Sequence, residues 1–298
     1  MGVSPHVYYC DVHTIDLPAG HCFPSGKYKL MRELLVADGF TLQLAPYAPI
    51  DLIKLVHFER YVTEFMSGSL SPWAVRRIGF PWSEGLVHRT LTSLGGTLAA
   101  AEDALSHGWG GNLAGGTHHA FANEGAGYCV FNDLAVAIQG LRRDGRIRRA
   151  AVVDLDVHQG DGTASIFSGD PDVFTISIHC RSNFPLRKQQ STIDLELLDG
   201  TSDDEYLAAL DFVLPQVIAF QPDIILYQAG VDALYSDRLG HLALTYAGLK
   251  ERDRRLMLAA RSHDIPIVIT LGGGYSLPLE VSAEAHANVY RTAWEIFG

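Results

Sequence analysis

Three aspartates and one histidine lie within the eleven residues VVDLDVHQGDG, at positions 152–162. Asp156 and His158 are two residues apart, so their side chains point in the same direction on an extended backbone. Asp232, in the segment QAGVDAL, can complete a set of two carboxylates and one imidazole. Such a set suits a divalent cation such as zinc and leaves a position open for water, which is typical of a catalytic rather than a structural metal site.

Further polar groups at other points of the chain can serve the same chemistry. His118 and His119 are adjacent, so their side chains point in different directions, and they form a natural general-base site. Asp154 and Asp161 are candidates to bind the imidazole nitrogens that face away from the substrate. Tyr275 follows three glycines in LGGGY, which let the backbone approach a ligand closely, and its hydroxyl can stabilise an oxyanion.

Each of these signals has an ordinary explanation when it is taken alone. An aspartate at a strand end usually caps a turn or a helix, and LGGGY can be only a tight turn. Adjacent histidines usually lie at the surface or form a satisfied pair in the core. Their joint presence at the ends of several predicted strands favours a metal-dependent hydrolase.

The elements that must position these groups alternate along the chain. The predicted strands are rich in Val, Ile and Leu with little polar alternation, which is typical of strands buried on both faces. This alternation of strands and helices predicts an α/β fold with a parallel sheet, in which ligands bind at the carboxyl ends of the strands. The predicted strands are 111–116, 150–157, 173–179, 223–230 and 265–274, and the predicted helices are 132–143, 203–220, 246–263 and 278–297.

Other segments carry more local expectations. Residues 1–83 are less regular and predict an early strand in HVYYCD, a helix near 28–37 and long loops. Residues 84–107 predict a helix apart from Gly95-Gly96. Ser202 followed by Glu205 predicts a capping box at the start of the helix 203–220. Pro215 predicts a kink or an early end in that same helix.

Composition limits the classes of function. The 298 residues carry a net charge of −11, which argues against a general affinity for nucleic acid. No apolar run is long enough for a membrane span, no signal peptide is recognisable, and the four cysteines form no CxxC pair, so we expect a cytoplasmic setting. The segment GHCFPSGK does not have the spacing of a phosphate-binding loop. No feature indicates an oligomeric state.

Five segments in order, AGGTHHA, GYCVFNDLAVA, VVDLDVHQGDG, QAGVDAL and LGGGY, resemble the zinc-dependent histone deacetylase superfamily over nearly the whole chain. The resemblance implies an arginase-like α/β fold, with one catalytic domain over residues 1–298 and a central, mostly parallel sheet of eight strands. It implies zinc on Asp156, His158 and Asp232, and the sequence leaves open whether zinc or ferrous iron fills the site in the cell. His119 would be the main general base, backed by Asp161. His118, backed by Asp154, would act as electrostatic catalyst or acid, and Tyr275 would complete the oxyanion site.

A narrower resemblance involves the segments GTSDDEYL and SDRLGHLALT together with Gln159, which look like the class IV branch and its bacterial relatives. Members of that branch are associated with removal of long fatty acyl groups as well as acetyl. The family's substrate tunnel would have Gly127, Tyr128, Phe184 and Leu239 in its wall. A structural potassium ion is also implied, at Asp154, Asp156, His158, Ser177 and Ile178. The loop CRSNFPLRKQQ departs from the tunnel loop of the main branches, so the substrate stays open.

The expected activity is removal of acetyl or longer acyl groups from lysine side chains of a peptide or protein. Three alternatives remain. The first is a deacetylase for acetylated polyamines or another small acylated amine. The second is a binuclear manganese ureohydrolase of the same fold, which would need further carboxylates near Asp232. The third is a scaffold that binds acyl-lysine without catalysis.

Overall fold

Eight parallel strands form one sheet in the computed structural model, which describes residues 6–298. The strand order is β2-β1-β3-β8-β7-β4-β5-β6, and every neighbouring pair is parallel. The α/β fold and the eight-stranded sheet are therefore confirmed. The strands are β1 Val7–Tyr9, β2 Leu42–Leu44, β3 Trp109–Asn112, β4 Ala150–Asp154, β5 Val173–Cys180, β6 Ile193–Leu197, β7 Ile224–Gln228 and β8 Ile267–Thr270.

Helices cover both faces of this sheet. Successive residues of β4 show why, because Val152 belongs to the hydrophobic core on one face and Val153 to the core on the other. One core includes residues of α1, α8, α9 and α10, and the other includes residues of α5 and α6. The helices are α1 Gly26–Ala37, α2 Ile50–Ile53, α3 Glu59–Met66, α4 Pro72–Ile78, α5 Glu84–His107, α6 Asp133–Arg143, α7 Asp161–Ile166, α8 Asp203–Phe220, α9 Tyr246–Ser262 and α10 Leu279–Phe297.

Strands β2 and β6 and helices α2, α3, α4 and α7 are absent from the sequence prediction. Strands β2 and β6 occupy the two edges of the sheet, and they are partly exposed rather than uniformly apolar. They therefore lack the continuous apolar signal that marks the central strands. The region predicted as long loops contains the short helices α2, α3 and α4.

The predicted break in one helix and the predicted early end of another were wrong. Helix α5 runs without a break through Gly95 and Gly96, where a Cβ on Gly95 would lie 1.9 Å from the carbonyl oxygen of Pro46. The glycines therefore permit a close approach of backbones rather than ending the helix. Helix α8 continues beyond Pro215 to Phe220. Pro215 lies on its exposed face, where water can bind the carbonyl of Asp211 that has lost its helical partner. The predicted capping box at Ser202 and Glu205 is confirmed.

The carboxyl ends of β3, β8, β7 and β4 lie next to one another in the middle of the sheet. The segments that leave these four strands begin the loops that contain the candidate chemical groups. Within residues 6–298, no helix has both the length and the apolar character needed to cross a membrane.

Candidate active site

Asp156, His158 and Asp232 form a cluster at the ends of β4 and β7. Nδ1 of His158 lies 3.0 Å from Oδ1 of Asp156 and 3.1 Å from Oδ2 of Asp232. Asp232 is fully buried, and Asp156 is nearly so. Two buried carboxylates that face one imidazole nitrogen need a cation between them, because burial of unpaired negative charge is costly. The donor set therefore fits a zinc-like divalent ion with three protein ligands.

Backbone amides hold the two carboxylates in place. The Val157 amide donates to Oδ1 of Asp232 at 2.9 Å, and the Gly273 amide donates to Oδ2 of Asp156 at 2.7 Å. A Cβ on Gly273 would lie only 1.7 Å from Asp232 Oδ2. Only glycine therefore lets the turn after β8 pass this close to the cluster.

The two adjacent histidines each pair with a different aspartate. Nδ1 of His118 lies 2.7 Å from Oδ2 of Asp154, and Nδ1 of His119 lies 2.6 Å from Oδ1 of Asp161. The two rings lie side by side, with their centroids 4.0 Å apart. In each ring the carboxylate occupies Nδ1, so Nε2 is left for other partners. The structure thus brings together the pairs that the resemblance implied.

The two imidazoles have different electrostatic environments. Burial lowers the pKa of His118, but the carboxylates of Asp154 and Asp156 outweigh it and raise that pKa to about 9. Burial, with the neighbouring His118, lowers the pKa of His119 to about 4 despite Asp161. A divalent cation at the cluster would offset the attraction of Asp156 for a protonated His118. The pKa directions therefore favour a proton on His118 over one on His119.

Tyr275 stands at the end of the glycine turn that follows β8. Its amide donates to Oδ2 of Asp237 at 2.6 Å. Below it, the buried Lys27 amine donates to the carbonyls of Gly272 and Gly274, both at 3.2 Å. Burial raises the pKa of the Tyr275 hydroxyl well above its usual value, and Asp232 and Asp156 raise it further. The hydroxyl therefore stays protonated and can donate a hydrogen bond.

A cavity of about 1050 Å³ reaches this centre. The four residues predicted for the tunnel wall, Gly127, Tyr128, Phe184 and Leu239, all line it. The Phe184 ring meets His119 edge-on, with centroids 4.9 Å apart. Exposed Phe184 and Leu239 mark the outer part, and buried residues of α5, including Leu86 and Leu94, line the inner part.

Several residues of the site have no counterpart in the sequence prediction. Asp133 accepts hydrogen bonds from the amides of Gly116 and Thr117, and so shapes the loop just before His118. Lys27 and Arg89 are both nearly buried beside the Tyr28 ring, with Arg89 in the cavity wall. Residues on α1 and α5 were predicted as helical, but amphipathic spacing alone does not tell which turn of a helix faces a distant loop.

The residues implied for potassium lie on neighbouring strands. Asp154 of β4 is paired in register with Ser177 of β5, and Ile178 is the next residue. The Ser177 hydroxyl lies 3.0 Å from Nδ1 of His179. Among residues 6–298, one further group of metal-binding type exists, Cys180, Asp199 and His241, and it does not include Asp232. The described part of the chain thus offers no second carboxylate cluster of the kind that a binuclear ureohydrolase would need.

Comparisons with known proteins bear on the family and the fold. A profile of the histone deacetylase domain matches residues 21–292. The chain is 32% identical to histone deacetylase 2 of Arabidopsis thaliana, over 89% of this chain and 72% of the relative. It is 31% identical to the acetoin utilization protein AcuC of Bacillus subtilis, over 83% and 70%. It is 44% identical to an uncharacterized protein of Picosynechococcus, over 98% and 99%. The crystal structure of acetylpolyamine aminohydrolase from Burkholderia pseudomallei has a TM-score of 0.80 at 20% identity, covering 98% of this chain and 100% of that one, so it supports the fold.

Proposed function

The chain belongs to the histone deacetylase family, and from this we propose that it is a zinc-dependent amidohydrolase that removes acyl groups from lysine side chains of peptides or proteins. The observation that carries this proposal is the convergence of Asp156, His158 and Asp232 with two carboxylate-paired histidines at one cavity. An amide and water are converted to an amine and a carboxylic acid. The resemblance to class IV and bacterial members, which rests in part on Gln159, supports a place in that branch.

The chain's own residues supply the proton transfers. A divalent ion held by Asp156, His158 and Asp232 would act as a Lewis acid and make water a nucleophile at neutral pH. His119 accepts the proton of the attacking water at Nε2, and Asp161 at Nδ1 stabilises the imidazolium that forms. His119 then returns the proton to the leaving amine. His118, paired with Asp154, stabilises negative charge beside it.

The oxyanion is stabilised from the other side of the site. Tyr275 lines the cavity, and its hydroxyl donates to the carbonyl oxygen of the scissile amide. Lys27 binds the carbonyls of Gly272 and Gly274, so it fixes the turn from which Tyr275 projects. Arranging such a donor before the reaction avoids the cost of reorganising it in the transition state.

The family resemblance also implies a potassium site, beside the loop that follows β4. We propose that Asp154, Asp156, His158, Ser177 and Ile178 hold a structural potassium ion, partly through main-chain carbonyls. The register pairing of Asp154 with Ser177 supports this, because it brings the two segments side by side.

The charge of the cavity wall supports a lysine side chain over a polyamine as substrate. Arg76, Arg77, Arg89 and Arg187 line the cavity. Its acidic lining residues are Asp156 and Asp161 of the candidate catalytic centre and Glu124, which pairs with Arg77 at 3.1 Å. A polyamine keeps several positive charges after acylation at one end. A wall with excess positive charge disfavours such a polycation, whereas a neutral acyl-lysine in a peptide meets no such penalty.

The size of the cavity supports acyl groups longer than acetyl. About 1050 Å³ is at the upper end of the volumes of small-molecule pockets. Its inner wall includes apolar side chains of α5, Leu86 and Leu94, together with Val130 and Phe131. An acyl chain can bury apolar surface there, which is favourable by roughly 0.8 kcal/mol for each methylene group.

Turnover of one lysine peptide carrying an acetyl, octanoyl or myristoyl group tests the proposal, with acetylated polyamines assayed in parallel. We expect release of the acyl group from the peptides, faster for the longer chains, and loss of activity with a zinc chelator. Acetyl-only turnover would contradict the longer-chain preference. Turnover of polyamines without turnover of any peptide would overturn the lysine substrate, and binding of the peptides without any hydrolysis would indicate a scaffold.

A further inference from the structure

A second group of metal-binding side chains lies outside the catalytic cluster. It consists of Cys180 at the end of β5, Asp199 just after β6, and His241 in the segment between β7 and α9, and Ser182 lies among them. Their donor atoms lie within 4.8 Å of one another. From this arrangement we propose that Cys180, Asp199 and His241 form a second zinc-binding site, which braces the mouth of the substrate cavity.

Two distances within this group, each to a different oxygen of Asp199, are close to those around a small metal ion. Cys180 Sγ lies 3.3 Å from Asp199 Oδ1, and His241 Nδ1 lies 3.6 Å from Asp199 Oδ2. A tetrahedral zinc ion with bond lengths of about 2.0 to 2.3 Å separates its ligand atoms by about 3.3 to 3.7 Å. One thiolate, one imidazole and one carboxylate also have the chemical character that zinc prefers over calcium or magnesium.

Access and charge are suited to an ion that enters from solution. The side chains of His241 and Asp199 are about half exposed, at 49% and 59%, and Cys180 is buried beneath them. When the ion binds, the Cys180 thiol loses its proton to solvent and a zinc–sulfur bond forms. The thiolate and the carboxylate then balance the two positive charges of the ion, and the imidazole adds none.

The Ser182 hydroxyl now bridges the polar groups. It lies 2.5 Å from Asp199 Oδ1 and 2.8 Å from His241 Nδ1, which are hydrogen-bond distances and shorter than the spacing of zinc ligands. Ser182 is exposed, so its side chain can rotate when the ion binds. Either its hydroxyl or a water molecule can then fill the fourth coordination position of the ion. The proton on the His241 ring then belongs on Nε2, because Nδ1 faces the ion.

Binding at this point would join two loops of the cavity mouth. Asn183 already links them, because its side-chain amide donates to the carbonyl of Leu239 at 2.6 Å and its Oδ1 accepts from the His241 amide at 3.0 Å. Phe184 follows Asn183, and both Phe184 and Leu239 line the cavity. An ion tying Cys180 to His241 therefore restrains the two side chains past which a substrate must enter.

Cobalt substitution tests this site separately from the catalytic one. Loaded with Co²⁺, the protein is expected to show thiolate-to-cobalt charge-transfer absorption, which the catalytic cluster cannot produce because it contains no sulfur. The absorption should be lost in Cys180→Ser and in His241→Asn, and kept in Cys22→Ser, whose cysteine is exposed. Metal analysis of zinc-loaded protein should show one ion fewer per chain in the first two variants than in the third.

Absence of the charge-transfer absorption in the wild-type protein would overturn the proposal, whatever the activity. So would its persistence in His241→Asn. The His241 side chain is half exposed, so this change should disturb the fold less than the change at buried Cys180. In steady-state assays with an acyl-lysine peptide, loss of the ion should raise KM with little change in kcat. A loss of kcat alone would contradict the bracing role.

Discussion

The side-chain amide of Gln159 pairs with the main chain of Gln189 through two hydrogen bonds. Gln159 Nε2 donates to the carbonyl of Gln189 at 2.7 Å, and the Gln189 amide donates to Oε1 of Gln159 at 2.8 Å. Gln159 is fully buried and also donates to Oδ1 of Asp194 at 2.8 Å. The residue after His158, which we propose as a metal ligand, thus anchors the loop that carries Phe184 to the core.

Replacing this anchor should affect substrate binding more than chemistry. In Gln159→Met both bonds to Gln189 are lost at nearly constant volume, which should cost about 1 to 2 kcal/mol of the free energy of unfolding. We expect KM for an acyl-lysine peptide to rise several-fold while kcat changes little. Gln190→Met, at an exposed neighbouring position, is the control. An unchanged KM in Gln159→Met would show that the loop does not depend on this pairing.

Lys27 should matter for turnover although it does not reach the substrate cavity. Its buried amine binds the carbonyls of Gly272 and Gly274 on either side of Gly273, and burial lowers its pKa to about 8. Lys27→Met leaves these carbonyls without a donor, at a cost of about 1 to 3 kcal/mol. We expect a lower kcat and a lower melting temperature, while Lys29→Met at the exposed neighbouring lysine changes neither. Wild-type kcat in Lys27→Met would contradict a positioning role.

Removal of the Tyr275 hydroxyl should separate catalysis from metal binding. Tyr275→Phe keeps the ring and loses the donor to the oxyanion, so kcat should fall about 10²- to 10³-fold. Zinc content should stay at the wild-type level, since the hydroxyl is not one of the three proposed ligands. Metal analysis and single-turnover kinetics on the same preparation check both statements. Activity close to wild type would refute the oxyanion assignment.

Asp232→Ala should lose both zinc and activity. It removes one ligand and leaves the amide of Val157, which now donates to Asp232 Oδ1, without that partner. Elemental analysis after dialysis should show the catalytic ion absent, whereas Asp264→Ala, at a highly exposed carboxylate, retains it. Full zinc occupancy in Asp232→Ala would disprove the ligand set.

Protonation of buried His57 should account for part of the pH dependence of the free energy of unfolding. Its Nδ1 lies 3.0 Å from the Phe121 carbonyl, and its Nε2 accepts from the Asn132 amide at 2.9 Å, which requires a neutral ring. Burial lowers its pKa to about 4 in the folded protein, compared with about 6.5 in the unfolded chain. Between these values the unfolded state binds more protons, so the free energy of unfolding falls as pH falls, by about 1.4 kcal/mol per pH unit from this residue.

The variant His57→Gln keeps a donor and an acceptor but cannot be protonated in this range. Urea unfolding of chelator-treated protein between pH 4 and 6.5 should therefore show a shallower pH slope in His57→Gln than in wild type. His107→Gln, at an exposed position, should keep the wild-type slope. Equal slopes in His57→Gln and wild type would contradict the neutral buried imidazole.

The sequence by itself determined the class of fold and the set of chemical groups. Central strands such as β4 and β7 can be recognised by their continuous apolar runs. The carboxyl ends of parallel strands lie at the same edge of the sheet. That is why Asp156, His158 and Asp232 could be expected together, with the histidines of the loop after β3 beside them. The family resemblance also predicted the partner of each histidine, Asp154 for His118 and Asp161 for His119.

Only the tertiary structure decided the contacts between segments that local periodicity does not relate. The edge strands β2 and β6 were missed because partial exposure weakens their pattern, and without β6 the meeting of Cys180, Asp199 and His241 could not be foreseen. The predictions at Gly95 and Pro215 were wrong because each depends on the packed molecule. Gly95 serves a close approach of two backbones, and Pro215 lies on an exposed face, so α5 and α8 both continue past these residues. The same holds for Lys27 beneath the Gly272–Gly274 turn. The partners of a buried amine are set by three-dimensional packing. The spacing of Lys27 along the chain therefore does not predict its hydrogen bonds to Gly272 and Gly274.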